Sequence, residues 1–514
     1  MYLTAGLHRA LQRHPDKTAL VAGPRRLSFR SLVERVARLA SGLQALGLQP
    51  GDRVALLARN SDRYAESVLA LWWSGAVALP LNTRWSQAEM VYALQDCEVG
   101  MLLVDDAFLD QAQALVAELP ELKTCLHWGE RGAPGLLDYE QIIARSEAVE
   151  DRRCSAEELA VILYTGGTTG FPKGVMLSHR NFWASTVGRM AEVPNPSDFI
   201  TLLVTPLFHV AGLGRLIGQI QSGGACVMLP AFEPEAVLRT IAQERITDTL
   251  LVPSMVQMLF DSPAFGQYDL SSIRRIAWGA APMALPLLER CLSAFEGVEF
   301  MHAYGMTETA ASVTVHRIGH APEERQGARI RSAGHAGFAS EIRIADAQGK
   351  SLGCGEVGEI WIRGAAVMMG YWKRPEESAQ ALRDGWLRTG DGGYLDAQGY
   401  LFVVDRIKDM VISGGENVYP AEVEDALGQH PAVATCAVIG IPDAKWGEAV
   451  HAVVQLREGA KVTPQELQAH CRSRLASYKC PKSVEFLSSL PLSAAGKVLK
   501  SELRRARQGG VLTG

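Results

Sequence analysis

Apolar strand patterns alternate with amphipathic helix patterns along most of the chain, and this alternation constrains the fold more than any other feature. The segment LVERVARLASGLQALG predicts a helix ending at Gly47, and DRVALLA directly after it predicts a strand. Further strands are predicted over residues 249–252, 273–278 and 359–363. Because such strands need cover on both faces, the pattern predicts an α/β fold with mainly parallel sheets.

The length of 514 residues exceeds what one hydrophobic core usually supports, so more than one domain is expected. The best boundary follows a predicted strand ending near Val404, where Asp405-Arg406-Ile407-Lys408 meets a Gly-Gly loop. The roughly hundred residues beyond this point have their own alternation of helices and strands. They are enough for a small α+β domain.

Composition narrows the functional class. Hydrophobic residues make up 47% of the chain and charged residues 21%, as in ordinary globular enzymes. The net charge of −5 argues against a general nucleic-acid binder. Nine cysteines without a C-x-x-C pair indicate reduced thiols, and no signal peptide or membrane span is recognisable. A cytoplasmic protein is expected, and both a monomer and a homodimer remain open.

The stretch YTGGTTGFPKG, residues 164–174, suits a polyphosphate. A buried strand is predicted before it, over 161–164, and its glycines, threonines and Lys173 can present N–H groups, hydroxyls and one cation. The spacing excludes a Walker loop, because Gly166 and Gly170 are too close and Gly174 follows Lys173. A second glycine pattern, GLGRLIG at 212–218, misses the dinucleotide fingerprint by one position and predicts helix packing.

Further motifs follow in a fixed order. They are WGAAPM (278–283), YGMTET (304–309), GEIWIRGAAVMMGYW (358–372), WLRTGD (386–391), DRIKDMVISGGENVYPAEVE (405–424) and LPLSAAGKVLK (490–500). Together with the glycine-rich loop they closely resemble the adenylate-forming superfamily, which includes acyl-CoA synthetases, firefly luciferase and the adenylation domains of peptide synthetases. The resemblance spans nearly the whole chain. It implies a large N-terminal domain of α/β subdomains over 1–404, a hinge at 405–408 and a small mobile α+β domain over 409–514.

The resemblance implies a nucleotide site that uses ATP, Mg²⁺ and coenzyme A. The glycine-rich loop would hold the β- and γ-phosphates, Tyr304 would stack on adenine, and Asp391 would accept both ribose hydroxyls. Arg406 would also reach the ribose. The implied cofactor-binding residues are Thr165, Gly166, Gly167, Thr168, Thr169, Gly170, Lys173, Gly279, Ala280, Ala281, Pro282, Tyr304, Gly305, Thr307, Asp391, Arg406, Lys408, Gly414, Gly415, Glu416 and Lys497.

The implied reaction joins a carboxylic acid to AMP and then passes the acyl group to a thiol. Thr307 would bond the α-phosphate, and Glu308 together with Thr168 would hold Mg²⁺, which prefers oxygen ligands. Lys497 would bridge the acid and the α-phosphate, because a compact ammonium can stabilise charge there. The common alternatives are a helix cap for Thr307-Glu308 and a solvated lysine on a basic tail for Lys497.

The second step needs a path for the pantetheine thiol. Gly414, Gly415 and Glu416 resemble the loop that enters the site after the small domain rotates about Asp405 and Lys408. His209, in PLFHVAG, would lie near the acyl and thiol entrances and stands among the implied catalytic residues. A packed core histidine is the competing interpretation.

The implied substrate pocket includes His209, Gly305 and Trp278. Relatives usually have Ser or Gly at the Trp278 position, so this indole is expected to favour medium, branched or aryl acids over long straight ones. A freestanding acyl-CoA synthetase is the leading interpretation. A ligase loading a separate carrier-protein phosphopantetheine and a non-catalytic nucleotide sensor are the alternatives.

Overall fold

The computed structural model describes residues 1–131, 133–165, 172–281, 283–318, 327–413, 416–443, 446–493 and 497–508. The helices of these residues are α1 (Ala5–Arg13), α2 (Phe29–Ala45), α3 (Asp62–Ser74), α4 (Gln87–Asp96), α5 (Leu109–Glu118), α6 (Tyr139–Arg145), α7 (His179–Glu192), α8 (Val210–Ser222), α9 (Pro234–Glu244), α10 (Pro253–Asp261), α11 (Leu285–Ala294), α12 (Pro375–Ala381), α13 (Pro420–Gly428), α14 (Pro464–Arg472) and α15 (Lys500–Gln508).

The strands are β1 (Thr18–Ala22), β2 (Arg25–Ser28), β3 (Arg53–Leu57), β4 (Val77–Pro80), β5 (Met101–Asp105), β6 (Thr124–Trp128), β7 (Leu137–Asp138), β8 (Leu159–Thr165), β9 (Lys173–Ser178), β10 (Ile200–Leu203), β11 (Ala225–Met228), β12 (Asp248–Leu250), β13 (Arg275–Gly279), β14 (Glu299–Tyr304), β15 (Thr314–Ile318), β16 (His335–Ala336), β17 (Ser340–Ala345), β18 (Gly358–Gly364), β19 (Gly370–Tyr371), β20 (Leu382–Arg383), β21 (Trp386–Leu395), β22 (Leu401–Arg406), β23 (Val411–Ser413), β24 (Glu416–Val418), β25 (Val433–Asp443), β26 (Gly447–Leu456) and β27 (Ser483–Phe486).

Two large sheets form the body of the molecule. The first has the strand order β19-β9-β8-β4-β3-β5-β6-β7, and the second has the order β16-β15-β14-β13-β12-β10-β11-β1-β2. The inner strands of both pair in parallel, while β8 with β9 and β14 with β15 are antiparallel. The parallel sheets predicted from the alternation of strands and helices are therefore confirmed for this body.

Apolar clusters on both faces of the two sheets give a layered architecture. Residues of α2, α3 and α8 pack between the sheets, α4 and α5 cover the outer face of the first, and α9, α10 and α11 cover the outer face of the second. This explains why the strands read as nearly continuous apolar runs in the sequence. The order of layers is helix, sheet, helix, sheet, helix.

Two smaller sheets follow, and for the first of them the expectation of parallel pairing was wrong. The third sheet, β17-β18-β21-β20 with β22 beside β21, is antiparallel throughout, including the strand predicted over 359–363. The fourth sheet has the order β24-β23-β26-β25 with β27 beside β26, and its buried face packs on α13 and α14. None of the helices in the described ranges combines the length and apolar character that crossing a bilayer requires.

Local sequence signals account for several helix starts. Ser86 and Glu89 form a reciprocal capping box at α4, and Thr463 and Glu466 form another at α14. Helix α8 contains the GLGRLIG pattern as a packing surface. A Cβ on Gly212 would lie 2.3 Å from the carbonyl oxygen of Pro206, so this helix sits directly on the chain that precedes it. The helix-packing interpretation of the glycines is confirmed.

Candidate active site

The two strands that flank the glycine-rich loop in the sequence form an antiparallel pair. Strands β8 and β9 pair in antiparallel register, with Thr165 opposite Lys173. The Lys173 ammonium lies 5.2 Å from the ring centroid of Tyr371. The rest of the predicted phosphate cradle, namely Gly166, Gly167, Thr168, Thr169 and Gly170, lies outside the described residues.

Thr307 and Glu308 lie on a short 3-10 helix that follows strand β14. The Glu308 side chain is buried, and its Oε1 accepts a hydrogen bond of 2.9 Å from the Tyr371 hydroxyl. Burial raises the pKa of the Glu308 carboxyl, and hydrogen bonds from its own backbone and from Tyr371 oppose the rise. A buried carboxyl group of this kind suits a hard cation such as Mg²⁺.

Tyr304, Asp391 and Arg406 are in direct contact. The Tyr304 hydroxyl donates a hydrogen bond of 2.7 Å to Asp391 Oδ2, and Arg406 Nε lies 2.6 Å from Asp391 Oδ1. The pairing of β21 with β22 places Asp391 opposite Arg406, and Asp391 is 6% exposed. Both carboxylate oxygens are thus oriented by neighbours contributed from two different sheets.

The backbone is strained where the adenine and acyl sites are predicted. Gly279 ends strand β13, and a Cβ on it would lie 2.6 Å from the carbonyl oxygen of Ala303. Ala280, directly after it, has a φ of 67°, while Ala281 continues the loop and Pro282 lies outside the described residues. Non-glycine residues in this conformation cluster at functional sites.

The loop after the 3-10 helix is equally tight. Ala310 and Ala311 have φ values of 50° and 96°. A Cβ on Gly305 would lie only 1.7 Å from the carbonyl oxygen of Ala311, so residue 305 must be glycine for this loop to close. Gly305 therefore allows the backbone of Ala311 to lie directly against residue 305.

Lys497, from the carboxyl-terminal segment, reaches this same region. Burial lowers its pKa first, the Arg406 charge lowers it further, and Asp391 and Glu308 raise it. Lys497 is exposed as a residue, whereas its ammonium is desolvated. The charges that act on this ammonium belong to residues that are predicted to hold the nucleotide.

His209 lies at the N-cap of α8. Burial, together with the Lys497 charge, lowers the pKa of His209 to about 4. The imidazole is therefore neutral at physiological pH.

Comparison with known proteins defines the family. A sequence profile described as AMP-binding enzyme matches residues 7–372, and one described as AMP-binding enzyme C-terminal domain matches residues 422–497. The chain belongs to the AMP-binding enzyme family. The resemblance to adenylate-forming enzymes that its motifs carry is confirmed.

Relatives match this AMP-binding enzyme from end to end. A feruloyl-CoA synthase of Amycolatopsis sp is 41% identical over 97% of both chains, and a fatty acid–[acyl-carrier-protein] ligase, ScoC, of Streptomyces coeruleorubidus is 36% identical over 96% and 94%. The crystal structure of the anthranilate CoA ligase AuaEII in complex with anthranoyl-AMP superposes with a TM-score of 0.92. It is 29% identical and covers 99% of this chain and 98% of that one.

The predicted hinge of this AMP-binding enzyme is tied to the fourth sheet and its helices. Asp405 Oδ2 accepts a hydrogen bond of 2.8 Å from the backbone N–H of Ala421, at the start of α13. The Lys500 ammonium lies 2.8 Å from Glu424 and 3.7 Å from Asp405. Lys408 is exposed as a residue. Partial burial of its ammonium lowers the pKa of Lys408, and the charge of Arg406 lowers it further. The hinge role itself stays a prediction.

The remaining predicted residues have mixed positions. Trp278 is 2% exposed within the core under α9, α10 and α11, where its indole stacks on the His302 ring with centroids 5.0 Å apart. These surroundings indicate a packing role for Trp278. Its effect on which acids the enzyme accepts stays a prediction, which the chain-length profile of Trp278→Gly would test. Gly414 and Gly415 lie outside the described residues, and Glu416 is exposed on β24.

Two contributors were missed by sequence reasoning. Tyr371 binds Glu308 and flanks Lys173, although the motif ending in GYW contained the signal. The exposed Arg84 donates a hydrogen bond of 3.1 Å from Nη1 to the carbonyl oxygen of Ser493, across 409 sequence positions. The second contact has no sequence signal, because it depends on how the carboxyl-terminal segment docks.

Proposed function

We infer that this chain is an ATP-dependent acyl-CoA synthetase. It activates a carboxylic acid as an acyl adenylate with release of pyrophosphate, and then transfers the acyl group to the thiol of coenzyme A with release of AMP. The CoA-ligase names of its relatives support the reaction class. The observation that carries the assignment to this site is the contact of Tyr304, Asp391 and Arg406, which come from three separate motifs.

In the first half-reaction, side chains position phosphates and stabilise charge. Thr165 and Lys173, with the loop between them, hold the β- and γ-phosphates, and Thr307 donates to the α-phosphate. Glu308 holds Mg²⁺, which neutralises phosphate charge when bound; the buried carboxyl beside Tyr371 fits that ligand. Such sites act mainly by positioning and electrostatics rather than covalent catalysis.

The nucleoside is held on the opposite side of the phosphates. Tyr304 stacks on adenine against the backbone of residues 279–282, and Asp391 accepts the ribose hydroxyls. The contacts from Tyr304 and Arg406 fix the orientation of the Asp391 carboxylate before the nucleotide arrives. Preorganisation of this kind lowers the entropy cost of binding.

Lys497 completes the first half-reaction and must then leave. Its ammonium bridges the incoming carboxylate and the α-phosphate oxygen, stabilising the charge that develops during attack. Rotation at residues 405–408 then exchanges this lysine for the loop of Gly414, Gly415 and Glu416, which lines the thiol path. His209, neutral at physiological pH, shapes the acyl and thiol entrances without acting as a cation.

We further propose that the acid is aromatic or comparably bulky. Two relatives are named for feruloyl and anthranilate substrates, both of which are aromatic acids. A cytoplasmic location is proposed from the nine cysteines, all of which are free thiols.

The test is a coupled assay of the purified chain with ATP, Mg²⁺, coenzyme A and a panel of carboxylic acids. Pyrophosphate, AMP and acyl-CoA should appear together, in equal amounts, with at least one aromatic acid. Holo-carrier protein replaces coenzyme A in a parallel reaction, because one relative is named an acyl-carrier-protein ligase. Binding of ATP without pyrophosphate release from any acid would indicate a non-catalytic sensor instead.

A further inference from the structure

Tyr371 contacts two residues that the proposed function assigns to the nucleotide. Its hydroxyl donates a hydrogen bond of 2.9 Å to Glu308 Oε1, and the Lys173 ammonium lies 5.2 Å from the centroid of its ring. An ionised carboxylate only accepts hydrogen bonds, so the phenol is the donor. An ammonium at this distance from an aromatic ring is attracted by the ring electrons. One side chain thus contacts both a predicted Mg²⁺ ligand and a predicted phosphate ligand.

The two contacted residues come from different sheets. Lys173 begins β9 in the first sheet, whereas Glu308 lies on the 3-10 helix that follows β14 of the second sheet. Tyr371 lies on β19, which pairs with β9 at the edge of the first sheet. Tyr371 therefore links the first sheet to the element that follows a strand of the second.

The backbone around Tyr371 is bonded to the same two regions. The Met368 N–H donates to the carbonyl oxygen of Glu308 at 2.8 Å. The Trp372 N–H donates to the carbonyl oxygen of Gly174, the residue after the predicted phosphate lysine, at 2.7 Å. The main chain therefore fixes where the Tyr371 side chain begins relative to both of its contacts.

Two further hydrogen bonds hold this segment. The Tyr371 N–H donates to Ser378 Oγ at 2.8 Å, and the Trp372 indole N–H donates to the carbonyl oxygen of Asp96 at 2.9 Å. A side chain whose backbone is already fixed has less conformational freedom to lose when it makes a contact. Such a side chain can orient the groups that it touches.

Both contacted groups need support of this kind. Glu308 is 7% exposed, and a buried carboxylate is tolerated only when it accepts hydrogen bonds. Lys173 has a long side chain, whose rotamer entropy opposes any single placement. The contacts from Tyr371 leave lone pairs of the Glu308 carboxylate for a cation and N–H groups of Lys173 for phosphate oxygens.

We propose that Tyr371 is a positioning residue of the nucleotide site: its hydroxyl orients Glu308 toward Mg²⁺, and its ring holds Lys173 toward the β- and γ-phosphates. The proposal rests on the acyl-CoA synthetase function proposed above, which assigns these roles to Glu308 and Lys173. Hydrogen bonds to metal ligands contribute about 10- to 100-fold to metal affinity. A partly exposed cation–π contact contributes less, about 2- to 5-fold.

Tyr371→Phe removes the hydroxyl and keeps the ring. Binding of ATP is measured by titration calorimetry, once in Mg²⁺ buffer and once in EDTA. In Mg²⁺ the variant should bind ATP about 10-fold more weakly than the wild-type chain, because Glu308 is no longer oriented. In EDTA the two affinities should agree within about twofold, because the contact between the ring and Lys173 remains.

Tyr371→Leu removes the ring as well. In EDTA this variant should bind ATP about 2- to 5-fold more weakly than Tyr371→Phe, because Lys173 has lost its aromatic contact. Binding of AMP, which lacks the β- and γ-phosphates, should match the wild-type chain in both variants. Retained AMP binding also shows that the variants are folded and that the contact of Tyr304 with Asp391 is intact.

Tyr268→Phe is the matched control. The Tyr268 hydroxyl also donates to a glutamate, Glu235 Oε1, at 3.1 Å, but this pair is exposed. Its loss should leave the ATP affinity unchanged in both buffers. In the adenylation assay, a higher Mg²⁺ concentration should restore the rate of Tyr371→Phe, because mass action compensates for weaker metal binding.

Each outcome bears on one proposal. If Tyr371→Phe binds ATP in Mg²⁺ as the wild-type chain does, or loses ATP and AMP affinity alike, the positioning role is overturned and the acyl-CoA synthetase function stands. Equal ATP affinities of Tyr371→Phe and Tyr371→Leu in EDTA would overturn the role of the ring toward Lys173. Failure of the wild-type chain to bind ATP in Mg²⁺ buffer would instead overturn the function itself.

Discussion

At the scale of single residues, Lys497 carries the most specific expectation. Lys497→Ala should lower the rate of acyl-adenylate formation roughly 10²- to 10³-fold, because a preorganised charge at the reacting phosphate is lost. Thioester formation from supplied acyl-AMP should be unaffected. The two half-reactions are measured separately, as pyrophosphate release and as acyl-CoA formation, and an equal loss in both would contradict the assigned role.

The same residue predicts a pH dependence. Burial and the Arg406 charge lower the Lys497 pKa below the usual lysine value, and only the protonated form can bridge two anions. The kcat/KM for adenylation should therefore fall as pH rises through this lowered pKa, since kcat/KM reports groups of the free enzyme. Lys497→Arg keeps its charge at alkaline pH and should remove that decline from whatever activity remains.

The residues of the site also show how much of it could be predicted from the sequence. Tyr304, Glu308, Asp391 and Lys497 could be named because each lies in a short contiguous motif. The buried pairs Arg215–Asp248 and Arg275–Glu299 could not, because their members come from α8, β12, β13 and β14 and only packing brings them together. The packing of Trp278 under α9, α10 and α11 could not be predicted either. The sequence of β13 does not indicate which face of the sheet each side chain is on or which helices cover that face.

At the scale of elements, the sequence predicted the presence of strands better than their partners. The strand before the glycine-rich loop, the helix α2 and the strand β13 all form close to where the pattern indicates. Strand β18 has the same apolar character as the buried parallel strands, yet it pairs in antiparallel fashion on both sides. Periodicity records burial, and it carries no information about the direction of a neighbour.

The close packing of α8 against the residues that precede it gives a prediction about stability. A methyl group on Gly212 would lie 2.3 Å from the carbonyl oxygen of Pro206, which is backbone and cannot move aside cheaply. Gly212→Ala should lower the free energy of unfolding by about 1–3 kcal/mol, the usual range for overpacking. The change is read from the midpoint of urea unfolding.

Gly428→Ala is the matched control for this substitution. Gly428 ends α13, and a Cβ there meets nothing within 4 Å. The control should be neutral or stabilising by up to about 1 kcal/mol through helix propensity. Equal urea midpoints for the two variants would mean that α8 can shift to accommodate the added methyl group. Its packing against Pro206 would then be less rigid than the contacts indicate.

At the scale of the whole molecule, several contacts tie the carboxyl-terminal helices to the predicted hinge. Asp405 caps α13, Lys500 pairs with Glu424, and Arg504 pairs with Asp409 at 2.6 Å. These contacts lie between the hinge and the elements that follow it, so they can travel with the small domain. They do not select the orientation in which Lys497 enters the site.

We expect the contact between Arg84 and Ser493 to select that orientation. Two hydrogen bonds join Ser493 to the backbone of Lys497. The Ser493 N–H donates to the Lys497 carbonyl oxygen at 2.7 Å, and the Ser493 hydroxyl oxygen accepts from the Lys497 N–H at 3.1 Å. Arg84, from the large domain, donates to the carbonyl oxygen of the same Ser493. If the small domain rotates as predicted, this hydrogen bond should stabilise the adenylating arrangement and break on rotation.

Arg84→Ala should slow adenylation about 2- to 10-fold, the loss expected for one hydrogen bond, and leave thioester formation unchanged or faster. Arg239→Ala is the control, because Arg239 is an exposed arginine on α9 whose ion-pair partner is Glu235 of the same helix. The ratio of the two half-reaction rates is the measurement. If Arg84→Ala slows both steps alike, the contact serves general stability, and the orientation of the small domain must be set by the hinge itself.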